Sequence, residues 1–323
     1  MTRRREFLSL VCGGALASLS AGFPFPMRAQ TSHNVTRLLV GFGPGGAIDV
    51  IARMLVQTLK DYSDSFIVDN RPGAGGRLAL GALKDGPIDG TSMILTPASN
   101  ITVFPHVYKR LAYDALKDFA PVGPVCSFPF LITVGPMVPP DVRTLADFTE
   151  WCRANPKLAT YGTAAAGSML HSKAGDFQFV HLPYGGPNGI QDLIGGRIAA
   201  AIYPIATALP HVQAVVIRAL ATTGPQRPPL LPTVPTVREA GYPALEATEW
   251  FGVFVPPNTP PETVNRLNRA ICSAVNTNGF EAGLAKLSVD AMSLTPGDFA
   301  QLIKSDFERL GPVVQASGFS PED

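Results

Sequence analysis

Two short stretches of this chain carry residue types and spacings suited to holding an anion. The first is Gly41-Phe42-Gly43-Pro44-Gly45-Gly46, which follows the apolar run Leu38-Leu39-Val40 and leads into Ala47-Ile48-Asp49 and a helical pattern. A strand, a glycine-rich turn and a helix start arrange backbone N–H groups around a small concavity, and the helix dipole favours negative charge there. No Gly-Lys-Ser/Thr closes the loop, so it is not a P-loop. Its glycines lack the GxGxxG spacing of a dinucleotide fingerprint. Without a lysine or Mg²⁺ ligands beside it, a carboxylate suits the loop better than a polyphosphate. A structural strand-to-helix turn would have the same composition, and Asp49 in a first helical turn is stabilised by the dipole with or without a ligand. The second stretch runs from Tyr161 through Gly162-Thr163-Ala164-Ala165-Ala166-Gly167-Ser168 to His171, again strand, small-residue loop, helix start. Two such loops, one from each half of the chain, can close on one small anion at the carboxyl ends of their strands, where ligands of open α/β sheets sit.

Ser168 and His171 are three apart and can share a helix face. A serine hydrolase also needs an orienting carboxylate and an oxyanion hole. Asp176 is the nearest acid in sequence, and nothing marks it as an orienter. Helix capping by Ser168 and a packing or ligand hydrogen bond from His171 account for the pair, so no enzyme is expected. His106, His181 and His211 are scattered and read as structural, and Trp151 and Trp250 as core or lobe-interface residues. No CxxC or zinc-ligand spacing occurs, so neither metal nor cofactor is expected.

The elements that must position these loops alternate. Arg37 to Phe42 reads as a strand, and Ile48, Ile51, Ala52, Leu55, Val56 and Leu59 lie on one helix face. Further strands are expected at Phe66 to Val68, Ser92 to Thr96, Phe130 to Val134, Leu158 to Tyr161, Phe179 to Leu182, Ile217 to Thr222 and Phe251 to Val255. Helices are expected at Leu78 to Lys84, Thr144 to Ala154 and from near Ser168. Another follows Pro260-Pro261, with Val264, Leu267, Ile271 and Val275 on one face, and the last runs from Thr295-Pro296 to about Val314. Such alternation predicts parallel strands flanked by helices.

The chain has 323 residues, 46% apolar and 16% charged, enough for one large or two small domains. A net charge of +1 with no basic block after the first five residues argues against a nucleic-acid partner. The N-terminus reads as an export signal: Arg3-Arg4-Arg5, an uncharged Phe7 to Phe23, and small residues near Ala29. Arg4-Arg5-Glu6-Phe7-Leu8 is similar to the twin-arginine signal. The uncharged stretch is barely long enough for an uncleaved anchor and only weakly hydrophobic. Val11 before Cys12 speaks against a lipid anchor. Removal of residues 1–29 leaves 22 basic and 24 acidic residues, net charge −2, and three cysteines: Cys126, Cys152 and Cys272. That odd number allows one disulfide at most, and small buried apolar residues are the simpler reading.

In order and spacing, several further segments complete a resemblance. Pro44-Gly45-Gly46-Ala47-Ile48-Asp49-Val50-Ile51-Ala52-Arg53 fits PGGxxDxxAR, and Asp69 to Gly76 is similar to ENRPGAGG. Asp89-Gly90, Thr96-Pro97-Ala98-Ser99-Asn100 and the YGSxGxGSxxH-like stretch at Tyr161 to His171 follow. His181-Leu182-Pro183-Tyr184, Asp192 to Gly196, Ala208 to His211, Arg218 to Ala221 and Leu231 to Gly241 continue in register. The chain resembles the substrate-binding proteins of tripartite tricarboxylate transporters, the Bug family, over nearly all of its exported part.

The resemblance implies an α/β, two-lobed, Venus-flytrap binding protein of type II-like fold, each lobe a twisted mixed sheet flanked by helices. Lobe one would comprise residues 31–130 plus 251–323 and lobe two 131–250. It also implies an extracytoplasmic, monomeric protein that passes a di- or tricarboxylate, an acidic amino acid or an aromatic acid to a two-component membrane permease. A periplasmic sensor feeding a signalling receptor is the alternative on the same fold. The implied ligand contacts are Phe42, Gly45, Gly46, Asp49, Ser99, Asn100, Thr163, Ala166, Gly167, Ser168 and His171. Tyr203 is added because Tyr203-Pro204 stands near where the family often has an aspartate. Two departures stand out: only nine residues separate His171 from His181, fewer than the family usually has, and Ala164-Ala165-Ala166 replaces glycine or proline. The shorter segment is expected to weaken packing on one face of lobe two.

Overall fold

The computed structural model describes residues 35–163, 179–184 and 188–317. Residues 33–323 form one compact unit by contacts. The predicted export signal, and Ala166, Gly167, Ser168 and His171, lie outside the described residues.

The first half of the sheet is built from β1 (Thr36–Val40), β2 (Phe66–Asn70) and β3 (Ser92–Pro97) in parallel, order β2-β1-β3. α1 (Ala47–Thr58) and α2 (Arg77–Lys84) connect them. α1 forms because its apolar positions recur at helical spacing; Ile48, Ile51, Ala52 and Leu55 are buried. Each fully buried Ile or Leu contributes about 1.5–3 kcal/mol through removal of apolar surface from water. Beyond β3 come two short helices, α3 (Ala98–Thr102) and α4 (Phe104–Val107).

β4 (Ala120–Val134) then runs through both halves of the sheet. Its residues 120–129 pair with β9 (Thr248–Val255), which also borders β3. Its residues 130–134 pair with β7 (Ala200–Pro204) and 131–134 with β8 (Arg218–Thr222). The second half continues through β5 (Thr160–Thr163) and β6 (Val180–Pro183), parallel to β7, in the order β4-β7-β5-β6. α5 (Leu145–Ala154), α6 (Asn188–Ile194) and α7 (Ile205–Gln213) connect these strands. α8 (Pro261–Val275), α9 (Asn278–Ala285), the two-residue β10 (Asp290–Ala291) and α10 (Pro296–Ser317) return to the first half. The sheet is mixed in both halves, with helices packed on it, as the two-lobed binding-protein fold requires.

Several elements differ from the expectation, each for a visible reason. β4 begins ten residues before the expected Phe130. Pro121, Pro124 and Pro129 argue against a strand in sequence, but register shifts between Pro121 and Gly123 and between Pro124 and Cys126 accommodate two of them. β5 lies two residues later than expected, because Leu158 closes a turn on the Asn155 carbonyl. β7 and α7 lack a sequence signal: β7 is a short all-apolar run, and α7 contains Pro210. The α8 face fits the expectation, with Val264, Leu267, Ile271 and Val275 buried.

Trp250 is core, its ring edge-on to Phe299 and its Nε1 donating to Asp306 at 3.0 Å. Cys126, Cys152 and Cys272 are unpaired. An apolar gap lies between α5 and the second half of the sheet, lined by Phe148, Tyr161, Phe179, Ile202, Tyr242 and Leu245. The shortened segment before β6 lies outside the described residues.

α5 starts with a capping box: Thr144 Oγ1 accepts from Asp147 N at 3.1 Å, and Asp147 Oδ2 accepts from Thr144 N at 2.9 Å. Thr144→Ala should therefore lower stability by about 1 kcal/mol, read as a shift of the urea midpoint at constant slope.

Candidate functional site

The register of β4 brings the carboxyl ends of both sets of parallel strands to one place. Pro97, the last residue of β3, pairs with Phe251, and Phe251 pairs with Cys126 of β4. Pro204, the last residue of β7, pairs with Phe130 of the same strand. Four residues of β4, about 13 Å at ~3.3 Å each, therefore separate the two edges. The loops after β1 and β3 lie at one edge, the carboxyl ends of β5 and β7 at the other.

The loop after β1 approaches another backbone closely. A Cβ on Gly41 would stand 2.5 Å from Gly76 Cα, so only glycine fits. Gly76 belongs to a run, Gly73 to Gly76, in which every residue has positive φ. On its other side Gly76 meets Asn100 Nδ2 and the Phe42 ring, at 2.6 and 3.3 Å from an added Cβ. Phe42 and Asn100 thus flank one glycine although 58 positions separate them in sequence. Gly45 has φ +84°, and a Cβ there or on Gly43 would meet nothing within 4 Å, so the outer rim of the loop is open. Gly46 caps α1 with extended backbone, φ −78° and ψ 165°.

Asp49 fastens this loop. It is 3% exposed, and its carboxylate accepts from Gly45 N at 3.0 Å, from Arg53 Nε and Nη2 at 3.0 Å each, and from Asn70 Nδ2 at 2.9 Å. Asn70 Nδ2 also approaches the Phe42 carbonyl at 3.1 Å. Burial pushes the Asp49 pKa up, but the bonds from Arg53, Gly45 and Asn70 outweigh it and hold the carboxyl below its usual value. The side chain is thus turned back onto its own loop, and the Gly45 N–H is already engaged by it.

The lowered pKa sets a pH dependence. The folded state favours the ionised carboxylate more than the unfolded chain does, so this stabilisation is present above about pH 4 and is lost as pH falls through the folded-state value. Melting temperatures of wild type and Asp49→Asn should differ at pH 7 and converge towards pH 2.

At the same edge, Ser99 N donates to Glu249 Oε1 at 2.9 Å. Asn100 is 1% exposed; its Nδ2 donates to the Gly75 carbonyl at 3.2 Å and its own carbonyl accepts from Tyr113 Oη at 2.8 Å. At the opposite edge, Thr163 ends β5 fully buried, with Oγ1 2.7 Å from His181 Nε2. Thr163 pairs with Ile202, which brings Tyr203 alongside. Tyr203 is 1% exposed; burial pushes its phenol up, and the Gly189 backbone hydrogen-bonds it. It is a packed strand residue. Glu249, Asn70 and Gly76 are the site residues that sequence reasoning did not single out. Their only signals were the Asp69 to Gly76 segment, for Asn70 and Gly76, and for Glu249 its place beside Trp250. Among the described residues no group of three His, Cys, Asp or Glu side chains could hold a metal.

Comparison with known proteins accords with this geometry. Residues 51–319 match the family described as "Tripartite tricarboxylate transporter family receptor". The chain is similar to Protein BugT of Bordetella pertussis, 31% identical over 309 residues covering 93% of this chain and 94% of that one. Among solved structures it resembles an R. palustris protein with adipate, at 29% identity and TM-score 0.84, covering 89% of this chain and 98% of that one. It also resembles MatC of Rhodopseudomonas palustris with bound malate, at 25% identity and TM-score 0.80, covering 87% and 99%. The chain belongs to the tripartite tricarboxylate transporter receptor family, the Bug-type binding proteins.

Proposed function

We propose that this protein captures a small organic carboxylate between its two lobes outside the cytoplasm and hands it to a two-component membrane permease. The reading takes residues 31–130 plus 251–323 as lobe one and 131–250 as lobe two. It also takes residues 1–29 as a twin-arginine-type export signal and the periplasm as the location. The observation that carries it is the register that brings Pro97, through Phe251 of β9, and Pro204 within four residues of each other along β4, which sets the glycine loop after β1 against the carboxyl ends of β5 and β7. The first N–H groups of α1 have no acceptor within the helix. A carboxylate meeting them gains charge-assisted hydrogen bonds without an arginine. The adipate and malate held by the two R. palustris relatives have the expected chemistry. Closure of the lobes on the ligand excludes water and gives the permease a closed form to recognise. In this reading Phe42, Gly46, Asn100, Thr163, Ala166, Gly167, Ser168 and His171 line the cleft, Ser99 borders it, and Asp49, Gly45 and Tyr203 hold its walls.

Gly46→Leu tests it. The Gly46 backbone is extended and open to any residue, so the added side chain acts by filling the space before α1. Acid binding measured by titration calorimetry should fall at least a hundredfold, while Gly43→Ala, with open space around its Cβ, should bind as wild type does. Unchanged affinity in Gly46→Leu would remove the glycine loop from the ligand site.

A further inference from the structure

β4 changes partners within one step. Pro129 still pairs with Thr248 of β9, whereas Phe130 pairs with Pro204 of β7. The chain crosses between the two halves of the sheet here, and again where Ala247 leads into β9 at Thr248. Thr223, the first residue after β8, is fully buried and bonded to both crossings. Its N–H donates to the Phe130 carbonyl at 3.0 Å, and its carbonyl accepts the Ala247 N–H at 2.9 Å. Its hydroxyl joins the two: Oγ1 accepts the Phe130 N–H at 2.9 Å and donates to the Ala247 carbonyl at 2.6 Å. A hydroxyl can accept and donate at once; a methyl group of the same size can do neither.

Thr223 is itself fixed in the second half of the sheet. The preceding Thr222 pairs with Leu131, donates its N–H to the Pro235 carbonyl and accepts from Val237 N at 2.8 Å. On the other side of the crossings, Phe128 pairs with Glu249, and Trp250 Nε1 donates to Asp306 of α10 at 3.0 Å. One residue of each crossing strand, Pro129 and Thr248, is left between a neighbour fastened in the first half and a neighbour fastened in the second. These two pair with each other, so a bend at both lies on one line across the strands. Hinges absorb their rotation in a few such element-terminal residues.

We propose that Thr223 positions the hinge of this protein, holding both crossing strands so that the lobes turn about Pro129 and Thr248. This rests on the two-lobed, carboxylate-capturing reading above and adds to it the residue that sets how freely the lobes move. Thr223→Val leaves the buried Phe130 N–H and the Ala247 carbonyl without the hydroxyl. Both crossings then loosen, the free lobes spread over a wider range, and closing them on a ligand is harder. Small-angle X-ray scattering and titration calorimetry with malate and adipate, on the chain from Gln30 onward, decide it. Without ligand, Thr223→Val should have a larger radius of gyration than wild type. It should bind the acids about fivefold or more weakly, the equivalent of about one hydrogen bond. Thr223→Ser, which keeps the hydroxyl, should restore both. Thr133→Val is the matched control: Thr133 is equally buried, and its hydroxyl donates to the Ala201 carbonyl at 2.8 Å within the second half. It should lower the melting temperature and leave radius and affinity unchanged. A wild-type radius in Thr223→Val, or a loss of affinity matched by Thr133→Val, overturns the proposal. If Thr223→Val does not fold, Pro129→Ala frees the φ that proline fixes at the pivot and keeps the clasp in place. It should enlarge the ligand-free radius in the same way, and an unchanged radius overturns the proposal. If neither acid binds the wild type, the carboxylate reading loses its support, while the ligand-free scattering still decides the hinge.

Discussion

Asp49→Asn should lower stability by about 2–3 kcal/mol at pH 7 and abolish ligand binding. The carboxylate receives four donors: Gly45 N, two Arg53 nitrogens and Asn70 Nδ2. Asparagine keeps the shape but turns one acceptor oxygen into a donor, so an N–H group would face donors inside a buried site. Removing one partner of a buried charged network costs about 3–5 kcal/mol. The lower figure is taken because half of the Arg53 side chain is in water, where solvent screens the pair. The binding loss follows from geometry: Asn70 also supports the Phe42 carbonyl, so the whole glycine loop relaxes when its anchor goes. Denaturant unfolding and calorimetric titration read the two effects separately. A variant that unfolds early yet binds normally would show that the loop does not need this anchor.

Gly76→Ala should be comparably severe. Its φ of +94° costs a side-chain-bearing residue about 1–2 kcal/mol, and the methyl group would stand 2.6 Å from Asn100 Nδ2 and 3.3 Å from the Phe42 ring. Both neighbours are themselves packed, so the strain cannot dissipate into solvent. A loss of about 2–4 kcal/mol is expected, with acid affinity falling as Phe42 and Asn100 are displaced. Gly81→Ala is the contrast: helical, with nothing within 4 Å of the new carbon, it should raise stability by about 0.5–1 kcal/mol. Melting curves of the two alanine variants should move in opposite directions.

Elements with a periodic apolar face were legible in the sequence. α1 and α8 announce their buried faces through spacing alone, and the glycine turn after β1 is visible because backbone approach demands glycine. The early half of β4 was hidden because a strand with three prolines needs bulges that only tertiary pairing reveals. Asp49 stood out in the sequence as a candidate residue of the glycine loop, but its orientation did not: the Arg53 partner is four residues away on the same helix, whereas Asn70 arrives from β2. Ser99 and Glu249 meet across 150 positions. Nothing local in either segment signals that meeting, which the antiparallel register of β3 and β9 creates.

The most direct measurement is a thermal-shift screen of the chain from Gln30 onward against di- and tricarboxylates, acidic amino acids and aromatic acids. A ligand that binds only the folded state stabilises it by RT ln(1 + [L]/Kd), about 2.7 kcal/mol at a hundredfold excess over Kd. The account predicts a concentration-dependent rise in the melting midpoint for at least one acid, absent in Gly46→Leu. A protein that melts cooperatively and shows no rise with any acid of the panel would contradict it.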